Sequence, residues 1–252
     1  MTDQHETLVR HQFGPTSAAY VSSTVHAHGE DLAAIAARAG QVRPRHALDL
    51  GTGGGHVAYA VAPHARKVTA SDLSPEMLAA VAGEAQRRGI ANIATCEAPA
   101  ESLPFADGVF DFLACRFSTH HWRDPQAGLR EARRVLAPGA PALLADVVAP
   151  PAPAADTHLQ AVELLRDPSH VRDHTLTQWA SMLERAGFTL VAFTAARLRM
   201  DFPSWTGRMR TPPESAAAIR ALQQVASTDV RSHFAVEQDG SFTIDTMLIE
   251  AV

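Results

Sequence analysis

One glycine-rich loop constrains the fold of this chain more than any other feature. It reads Asp49-Leu50-Gly51-Thr52-Gly53-Gly54-Gly55 and overlaps the end of a short apolar run at 46–50. Glycines between a strand and a helix let backbone N–H groups and the helix N-terminus approach a ligand closely. The dinucleotide pattern G-x-G-x-x-G needs a third glycine where this chain has His56, so the loop reads D-x-G-x-G-x-G instead. The sequence therefore predicts a strand, a ligand-binding loop and a helix here.

Apolar runs and helical segments alternate on both sides of this loop. Helices are predicted to end at Gly40 and to begin at Ser74 and Gln126, and strands are predicted at 46–50, 67–71, 90–96, 110–115 and 142–148. This rhythm is typical of a doubly wound α/β fold with a parallel sheet. Beyond residue 148 the pattern becomes a proline-rich connector, a short helix with a polar turn, a helix at 175–186, and strands at 188–200 and 241–252.

Composition and charge narrow the classes of protein to which this chain can belong. A net charge of -5 argues against a nucleic-acid partner, which usually needs a clustered basic surface. No run of 18 or more apolar residues is present, so no membrane partner is expected. The first ten residues lack an apolar signal core and the two cysteines are far apart, which favours a cytoplasmic, reduced protein. The expected partner is a small-molecule substrate, and a homodimer stays open beside a monomer.

The charges near the loop indicate which ligand it binds. Asp49 at the end of the first strand would repel a pyrophosphate but suits an ammonium group. S-adenosylmethionine carries an ammonium and a sulfonium and has no phosphate. Asp72 ends the second strand, where a carboxylate can accept hydrogen bonds from both ribose hydroxyls. The ribose contact fits either nucleoside cofactor, and the charge of Asp49 favours S-adenosylmethionine.

Several motifs together resemble a known family. They are the loop Asp49 to Gly55, Asp72, Glu101-Ser102-Leu103-Pro104-Phe105, Phe110-Asp111 and Arg134-Val135-Leu136-Ala137-Pro138-Gly139. This set is similar to the class I S-adenosylmethionine-dependent methyltransferases of the ubiquinone/menaquinone-biosynthesis type, and closest to their uncharacterised bacterial members. The resemblance implies a Rossmann-like seven-stranded sheet, mostly parallel with an antiparallel last strand, plus a helical lid insertion. It implies one domain over 1–252, with an N-terminal helical cap (1–40), a cofactor-binding core (41–148), the lid (149–174) and a C-terminal helix and strands (175–252).

The resemblance also implies a set of cofactor contacts. Asp49 would lie near the methionine ammonium and Asp72 would hold the ribose. Arg116 would approach the methionine moiety, and Tyr20, in a segment that folds over the cofactor, would close on the same end or pack as a core aromatic. The other implied contacts are Gly51, Thr52, Gly53 and Gly55 under the methionine and ribose, and Leu73, Ala100 and Glu101 around the adenine.

Two departures from the family pattern concern adenine and substrate recognition. The family often has an aspartate that bonds the adenine amino group, where this chain has Pro99. Adenine recognition would therefore depend more on backbone groups. The quinone enzymes carry an Arg-Asn pair where this chain has His120 and His121. Specificity for a quinone precursor does not follow from the resemblance.

The same two histidines are the candidates for catalysis. Transfer of a methyl group from a sulfonium is a displacement, and an oxygen or acidic-carbon acceptor must also lose a proton. A histidine near neutral pKa suits that step, and His120 and His121 follow the fourth strand at the edge where open sheets bind ligands. Alternatively they only orient the loop, with Trp122 packed beneath. His170 and Arg172 lie in the insertion and are candidate lid residues for the substrate, or a solvated polar turn.

The predicted function is methyl transfer from S-adenosylmethionine to an oxygen or carbon of a small molecule, with release of S-adenosylhomocysteine. Transfer to nitrogen stays open. Two alternatives are a protein that binds S-adenosylmethionine without turnover and a nicotinamide-dependent oxidoreductase. The histidines show no metal-binding spacing, so no metal is predicted.

Overall fold

The strands form one seven-stranded sheet. The computed structural model describes residues 4–13 and 29–252. The sheet has the order β3-β2-β1-β4-β5-β7-β6, and its strands are β1 Ala47–Leu50, β2 Val68–Asp72, β3 Ile93–Glu97, β4 Phe112–Arg116, β5 Ala142–Val148, β6 Leu190–Met200 and β7 Phe242–Ala251. β7 pairs antiparallel with β5 and β6, and the other pairs are parallel. The prediction of a mostly parallel sheet with an antiparallel last strand is confirmed.

Helices cover both faces of the sheet, which explains the composition of its central strands. Every residue of β1 and β5 is buried, and nearly all of them are apolar, as expected for strands packed on two sides. The helices are α1 Gln4–Phe13, α2 Glu30–Val42, α3 His56–Val61, α4 Pro75–Arg87, α5 Pro125–Val135, α6 Pro153–Arg166, α7 Leu176–Ala186, α8 Phe202–Arg208, α9 Pro213–Val225 and α10 Thr228–His233.

The helix starts read from the sequence are confirmed where a capping residue marks them. Ser74 Oγ accepts a hydrogen bond from the N–H of Met77, with Pro75 in the first turn of α4. Thr175 and Gln178 form a reciprocal capping box at the start of α7, and Gly187 closes that helix in the left-handed conformation. These local signals act without help from distant parts of the chain.

Two predictions about the helices are wrong, and three helices were not predicted. Gly40 does not end α2, which continues to Val42 and is closed by Arg43 in the left-handed conformation. Gly40 lies within the helix, where a Cβ atom would stand 3.4 Å from the ring of His64, an ordinary van der Waals contact. The prolines after β5 are not all connector, because Pro153 opens the four-turn helix α6. Helices α8, α9 and α10 between β6 and β7 were not predicted.

Helices α8, α9 and α10 form an apolar cluster with α6, β7 and the end of β5. Trp205, Phe234 and Phe242 are its largest members, and Leu159 from α6 packs with them. This cluster holds α6 and the residues that follow it against the carboxyl edge of the sheet. The structure thereby joins the insertion to the edge at which β1, β2 and β4 also end. Among the described residues, no helix is long and apolar enough to cross a membrane.

Candidate active site

A pocket opens at the carboxyl edge of β1, β2 and β4. Its walls come from the glycine loop, the end of β2, residues 98–102 after β3, residues 116–123 after β4, and α1. The predicted site residues that line it are Asp49, Gly51, Thr52, Gly53, Asp72, Leu73, Ala100, Glu101, Arg116 and His121. His120, His170, Arg172 and Gly55 do not line it, and Tyr20 lies outside the described residues.

Two positions of the loop require glycine for different structural reasons. Gly51 has φ 69°, and a Cβ atom there would stand 2.0 Å from Ser118 Oγ, so this position joins the loop to the segment after β4. Gly53 has φ 49°, and a Cβ atom there would meet no described atom within 4 Å. Gly53 therefore leaves open space on the pocket wall, while Gly51 allows a close approach within the protein.

Asp49 is buried at the base of the pocket. Its Oδ2 accepts hydrogen bonds from Thr52 Oγ1 at 2.5 Å and from the N–H of Ala58 at 2.9 Å. Burial raises the pKa of Asp49 to about 7, against the opposing effect of these two hydrogen bonds. A buried carboxyl group in this state is stabilised in its charged form by a nearby cation.

Asp72 links the glycine loop to the end of β2. Its Oδ2 accepts a hydrogen bond from the N–H of Gly53 at 2.8 Å, and its Oδ1 accepts one from the N–H of Ser74 at 3.0 Å. Burial raises the pKa of Asp72, and these backbone donors act against that effect. The carboxylate is thus fixed in place on the pocket wall.

The segment after β3 forms a further, mostly apolar part of the pocket wall, which Leu73 and Met77 also line. Pro99, Ala100 and Glu101 line the pocket from this side. Arg134, from the Arg-Val-Leu-Ala-Pro-Gly motif, donates hydrogen bonds to the carbonyl oxygens of Leu103 and Phe105 at 3.0 and 2.7 Å and so holds the end of this segment. The motif acts on the pocket indirectly, through the loop that it supports.

Arg116 lines the pocket but already has an anionic partner. Its Nε and one terminal nitrogen donate to the two carboxylate oxygens of Asp31 at 2.5 and 3.1 Å. The side chain of Arg116 is only 6% exposed, and its guanidinium lies 4.8 Å from the ring centroid of Phe117. Arg116 therefore joins the start of α2 to the edge of the pocket.

His121 is the histidine that faces the pocket. Its Nδ1 lies 3.2 Å from the carbonyl oxygen of Ser169, and its ring meets the edge of Phe13 at a centroid distance of 4.9 Å. Its carbonyl oxygen lies 2.8 Å from Nε2 of His5 in α1. Burial, with the nearby charge of His120, lowers the pKa of His121 to about 4, so its imidazole is neutral at pH 7.

His120 lies behind His121 and is paired with an acid. Its Nδ1 is 2.5 Å from Oδ1 of Asp146 in β5, whose Oδ2 accepts a hydrogen bond from the N–H of Thr119. Burial by itself would lower the pKa of His120, but Asp146, with smaller effects of Asp173 and Glu163, raises it to about 9. With both ring nitrogens protonated, His120 is therefore a buried cation at pH 7.

Of the two predicted lid residues, Arg172 bonds through its backbone to the turn Thr119–His121 (the histidine turn), whereas the side chain of His170 bonds Gln160. The N–H groups of Val171 and Arg172 lie 2.8 and 3.2 Å from the carbonyl oxygen of His120. His170 is buried, with its Nε2 3.0 Å from Oε1 of Gln160, and burial together with the charge of His120 lowers its pKa to about 2. The side chain of Arg172 pairs with Asp156 at 2.5 Å.

Sequence reasoning missed the residues that α1 brings to the pocket. His5, Glu6 and Val9 line it, and α1 contains no motif that would indicate such a contact. The apolar residues of α1 are Leu8, Val9 and Phe13, and Val9 is its buried residue. Phe117 and Trp122 also line the pocket and flank the predicted histidines.

The fold and the pocket together define a class of protein. The sheet order with an antiparallel β7, the glycine loop after β1 and the acid ending β2 are those of a class I methyltransferase. Comparison with known proteins agrees, since residues 48–144 match the family described as a methyltransferase domain.

Two bacterial relatives match nearly their whole length. The uncharacterized protein YafE of Escherichia coli is 43% identical over 197 residues, which cover 78% of this chain and 95% of YafE. The uncharacterized methyltransferase YcgJ of Bacillus subtilis is 32% identical over 246 residues, covering 95% of this chain and 97% of YcgJ. The crystal structure of YcgJ superposes with a TM-score of 0.85 over 89% of this chain and 98% of that chain.

A shorter match extends to quinone-biosynthesis enzymes. The demethylmenaquinone methyltransferase of Thermus thermophilus is 36% identical over 110 residues, which cover 43% of this chain and 50% of that enzyme. The chain belongs to the class I S-adenosylmethionine-dependent methyltransferases of the ubiquinone/menaquinone type, as its sequence motifs predict.

Proposed function

We propose that the pocket holds S-adenosylmethionine and that the enzyme moves its methyl group to an oxygen or carbon atom of a small molecule. The observation that carries this proposal is the convergence of Asp49, Asp72 and His121 on one pocket. The two acids match the cationic and ribose parts of the cofactor, and the histidine lies among apolar side chains. S-adenosylhomocysteine is the second product.

The cofactor contacts follow from the chemistry of the walls. Asp49 pairs with the methionine ammonium, because a buried carboxylate gains most from an opposite charge. Asp72 accepts hydrogen bonds from the ribose hydroxyls, and the open space at Gly53 admits the backbone-facing side of the ligand. The adenine ring lies between Leu73 and the 98–102 segment, which offers apolar surface and backbone groups in place of the usual aspartate.

The reaction needs alignment more than activation. The acceptor atom forms a bond to the methyl carbon while the bond from that carbon to sulfur breaks, and the electron pair stays on sulfur. A neutral thioether leaves, so the leaving group needs no protonation. Holding the acceptor ~3–3.5 Å from the methyl group in a pocket closed by α1 provides most of the rate gain.

His121 is the proposed base for the acceptor proton. It lies on the pocket wall among Phe13, Phe117 and Trp122. Its imidazole is uncharged at pH 7 and can take a proton from the acceptor as the new bond forms. Because the lowered pKa makes it a weaker base than a free histidine, it suits an acceptor whose hydroxyl or C–H proton is itself acidic. His120, behind it and held by Asp146, is proposed as a positioning residue that fixes the turn carrying His121.

The same walls define the class of acceptor. Val9, Phe13 and Phe117 offer apolar and aromatic surface, so a flat, largely apolar molecule with an ionisable hydroxyl or acidic carbon fits best. The Thermus thermophilus relative is named for methylation of demethylmenaquinone, an acceptor of this general kind. The enzyme differs from the quinone group in having His120-His121 in place of Arg-Asn, so its acceptor is proposed by chemistry and not by that name.

Calorimetric titration with S-adenosylmethionine, S-adenosylhomocysteine and NADH tests the cofactor assignment. We expect micromolar binding of both adenosyl compounds, no NADH signal, and loss of binding in Asp49→Ala. Asp107→Ala is the matched control, since Asp107 is 81% exposed and absent from the pocket walls. NADH binding without adenosyl binding would overturn the proposal. A screen of hydroxylated aromatic acceptors, followed by S-adenosylhomocysteine release, then tests turnover.

A further inference from the structure

A buried polar cluster lies behind the histidine turn, outside the cofactor pocket. It consists of side chains from the turn after β4, from β5, from α6 and from the segment that follows α6. Its acidic members are all less than a tenth exposed and are Asp146, Glu163, Asp167 and Asp173. None of these acids lines the cofactor pocket, and only Asp146 has a part in the proposed mechanism, where it holds His120.

Among the described residues, the buried carboxyl groups of this cluster outnumber the cations beside them. Four carboxyl groups are buried there, and the cations close to them are Arg166, which pairs with Glu163 at 3.2 Å, and His120, which pairs with Asp146. Buried carboxylates are normally paired with cations or bound to a metal ion, because their desolvation costs several kcal/mol each. A divalent cation that displaces a proton from His120 would add one net positive charge and bind the carboxylates directly.

Three of these side chains point ligand atoms at one another. One ring nitrogen of His120 and one carboxylate oxygen each from Asp146 and Asp173 lie within 4.8 Å of one another. Ligands that share a cation at about 2.1 Å lie within about 4.2 Å of each other, so a small side-chain movement suffices. The three residues come from three separate segments, which is why no spacing in the sequence predicts this arrangement.

Asp173 provides independent support for a ligand at this position. It is 2% exposed, and its Oδ2 has no hydrogen-bond partner within the described part of the chain. The Nε2 atom of His170 lies 3.8 Å from this oxygen, which is too far for a hydrogen bond, and it is already bonded to Gln160. A buried carboxylate oxygen without a donor is costly, and a metal ion is one partner that satisfies it.

We propose that His120, Asp146 and Asp173 bind a divalent first-row transition-metal ion. One imidazole nitrogen with carboxylate oxygens suits Mn²⁺, Fe²⁺ or Zn²⁺. The ion joins the turn after β4, strand β5 and the segment after α6, and so holds the insertion against the turn that carries His121. The site is separate from the proposed cofactor contacts, so its test does not depend on methyl transfer.

The test uses the full chain, first treated with EDTA and then titrated with Mn²⁺ by electron paramagnetic resonance. We expect the wild type to bind a single Mn²⁺ tightly, and Asp173→Asn, which keeps the side-chain shape, to bind it more than about tenfold more weakly. Asp156→Asn is the matched control, because Asp156 lies in the same insertion but pairs with Arg172. No uptake by the wild type, or equal uptake by Asp173→Asn, would overturn the proposal and leave a protonated Asp173 as the explanation.

A second measurement does not depend on the variant folding. Bound Mn²⁺ broadens nuclear magnetic resonance signals of nearby groups, so the ring signals of His120 should disappear on titration. Those of His46 should remain, because His46 lies beside the start of β1, at the other edge of the sheet, and bonds Thr69. If the His120 signals persist at saturating Mn²⁺, or if both histidines broaden alike, the assigned site is wrong.

Discussion

The two halves of the catalytic edge are built in different ways. The half proposed to bind the cofactor (the cofactor half) consists of the glycine loop, the end of β2 and the segment after β3, each a short motif whose own backbone forms the wall. The half proposed to bind the acceptor (the acceptor half) is made from α1, the turn after β4 and the supporting insertion, which are far apart in the chain. A common cofactor can be served by local motifs, whereas an acceptor site is assembled from surfaces that tertiary packing brings together.

The largest expected effect is at the acceptor half. Replacing His121 with alanine should lower turnover by about 10²- to 10⁴-fold, the usual contribution of a positioned base. The affinity for S-adenosylmethionine should stay within about twofold, because no cofactor contact is removed. Release of S-adenosylhomocysteine with an acceptor from the screen measures the first quantity, and calorimetry measures the second. A parallel loss of cofactor affinity would show that the two halves are not separable.

The next effect belongs to the cofactor half. Asp49→Asn keeps the shape of the side chain and removes its charge, and we expect S-adenosylmethionine to bind about 100-fold more weakly, as for removal of one partner of a buried charge pair. Asp107→Asn serves as the surface control. Equal affinity in Asp49→Asn and the wild type would remove Asp49 from the ammonium site.

Two alanine substitutions compare packing with ligand space inside the glycine loop. Gly55 has φ 82°, and a Cβ atom there would stand 2.7 Å from the ring of Tyr59, so Gly55→Ala should destabilise the fold by about 2–4 kcal/mol. Gly53 has a left-handed φ, but an added Cβ atom would meet no clash, so Gly53→Ala should cost only about 1 kcal/mol of stability. Gly53→Ala should weaken cofactor binding more than Gly55→Ala does. Urea unfolding and calorimetry distinguish the two. The reverse order of stabilities would contradict the assigned roles.

The pH dependence of cofactor binding should follow Asp49. Burial raises the pKa of this acid to about 7. Below pH 7 a growing fraction of Asp49 is protonated and uncharged, so the affinity for a cationic ligand falls as pH falls. From pH 7 to pH 6 the ionised fraction, and with it the affinity, should fall about fivefold. 5′-Methylthioadenosine lacks the amino-acid part of the cofactor and is the control ligand. If it shows the same pH dependence, a group other than Asp49 is titrating.

The smallest effect is expected at the surface of the insertion. Arg172 pairs with Asp156 while its side chain is 38% exposed, and such pairs contribute less than about 1 kcal/mol. Arg172→Ala should leave turnover within about twofold and change the thermal midpoint only slightly. A large rise in KM for the acceptor would instead return Arg172 to the role of a lid residue that meets substrate.

Much of the fold and of the cofactor half follows from the sequence, for local reasons. The caps at Ser74 and Thr175 bind neighbouring backbone groups, so helix starts are marked within a few residues. Asp49, Gly51 and Asp72 lie at strand ends, where the backbone of a parallel sheet leads them to a common edge. Helices α8, α9 and α10 were missed because their burial depends on Trp205 and Phe242 packing across the chain.

The sequence by itself determined the class of this protein: a doubly wound methyltransferase sheet with a glycine loop after the first strand and acids at the ends of the first two strands. Only the tertiary structure decided which histidine faces the pocket, that Arg116 is paired with Asp31, and that Asp146 and Asp173 meet behind His120. The physical reason is the distance along the chain over which each interaction acts. Capping, turn chemistry and strand ends act over a few residues, whereas the orientation and charge state of a buried side chain depend on partners that packing brings from distant segments.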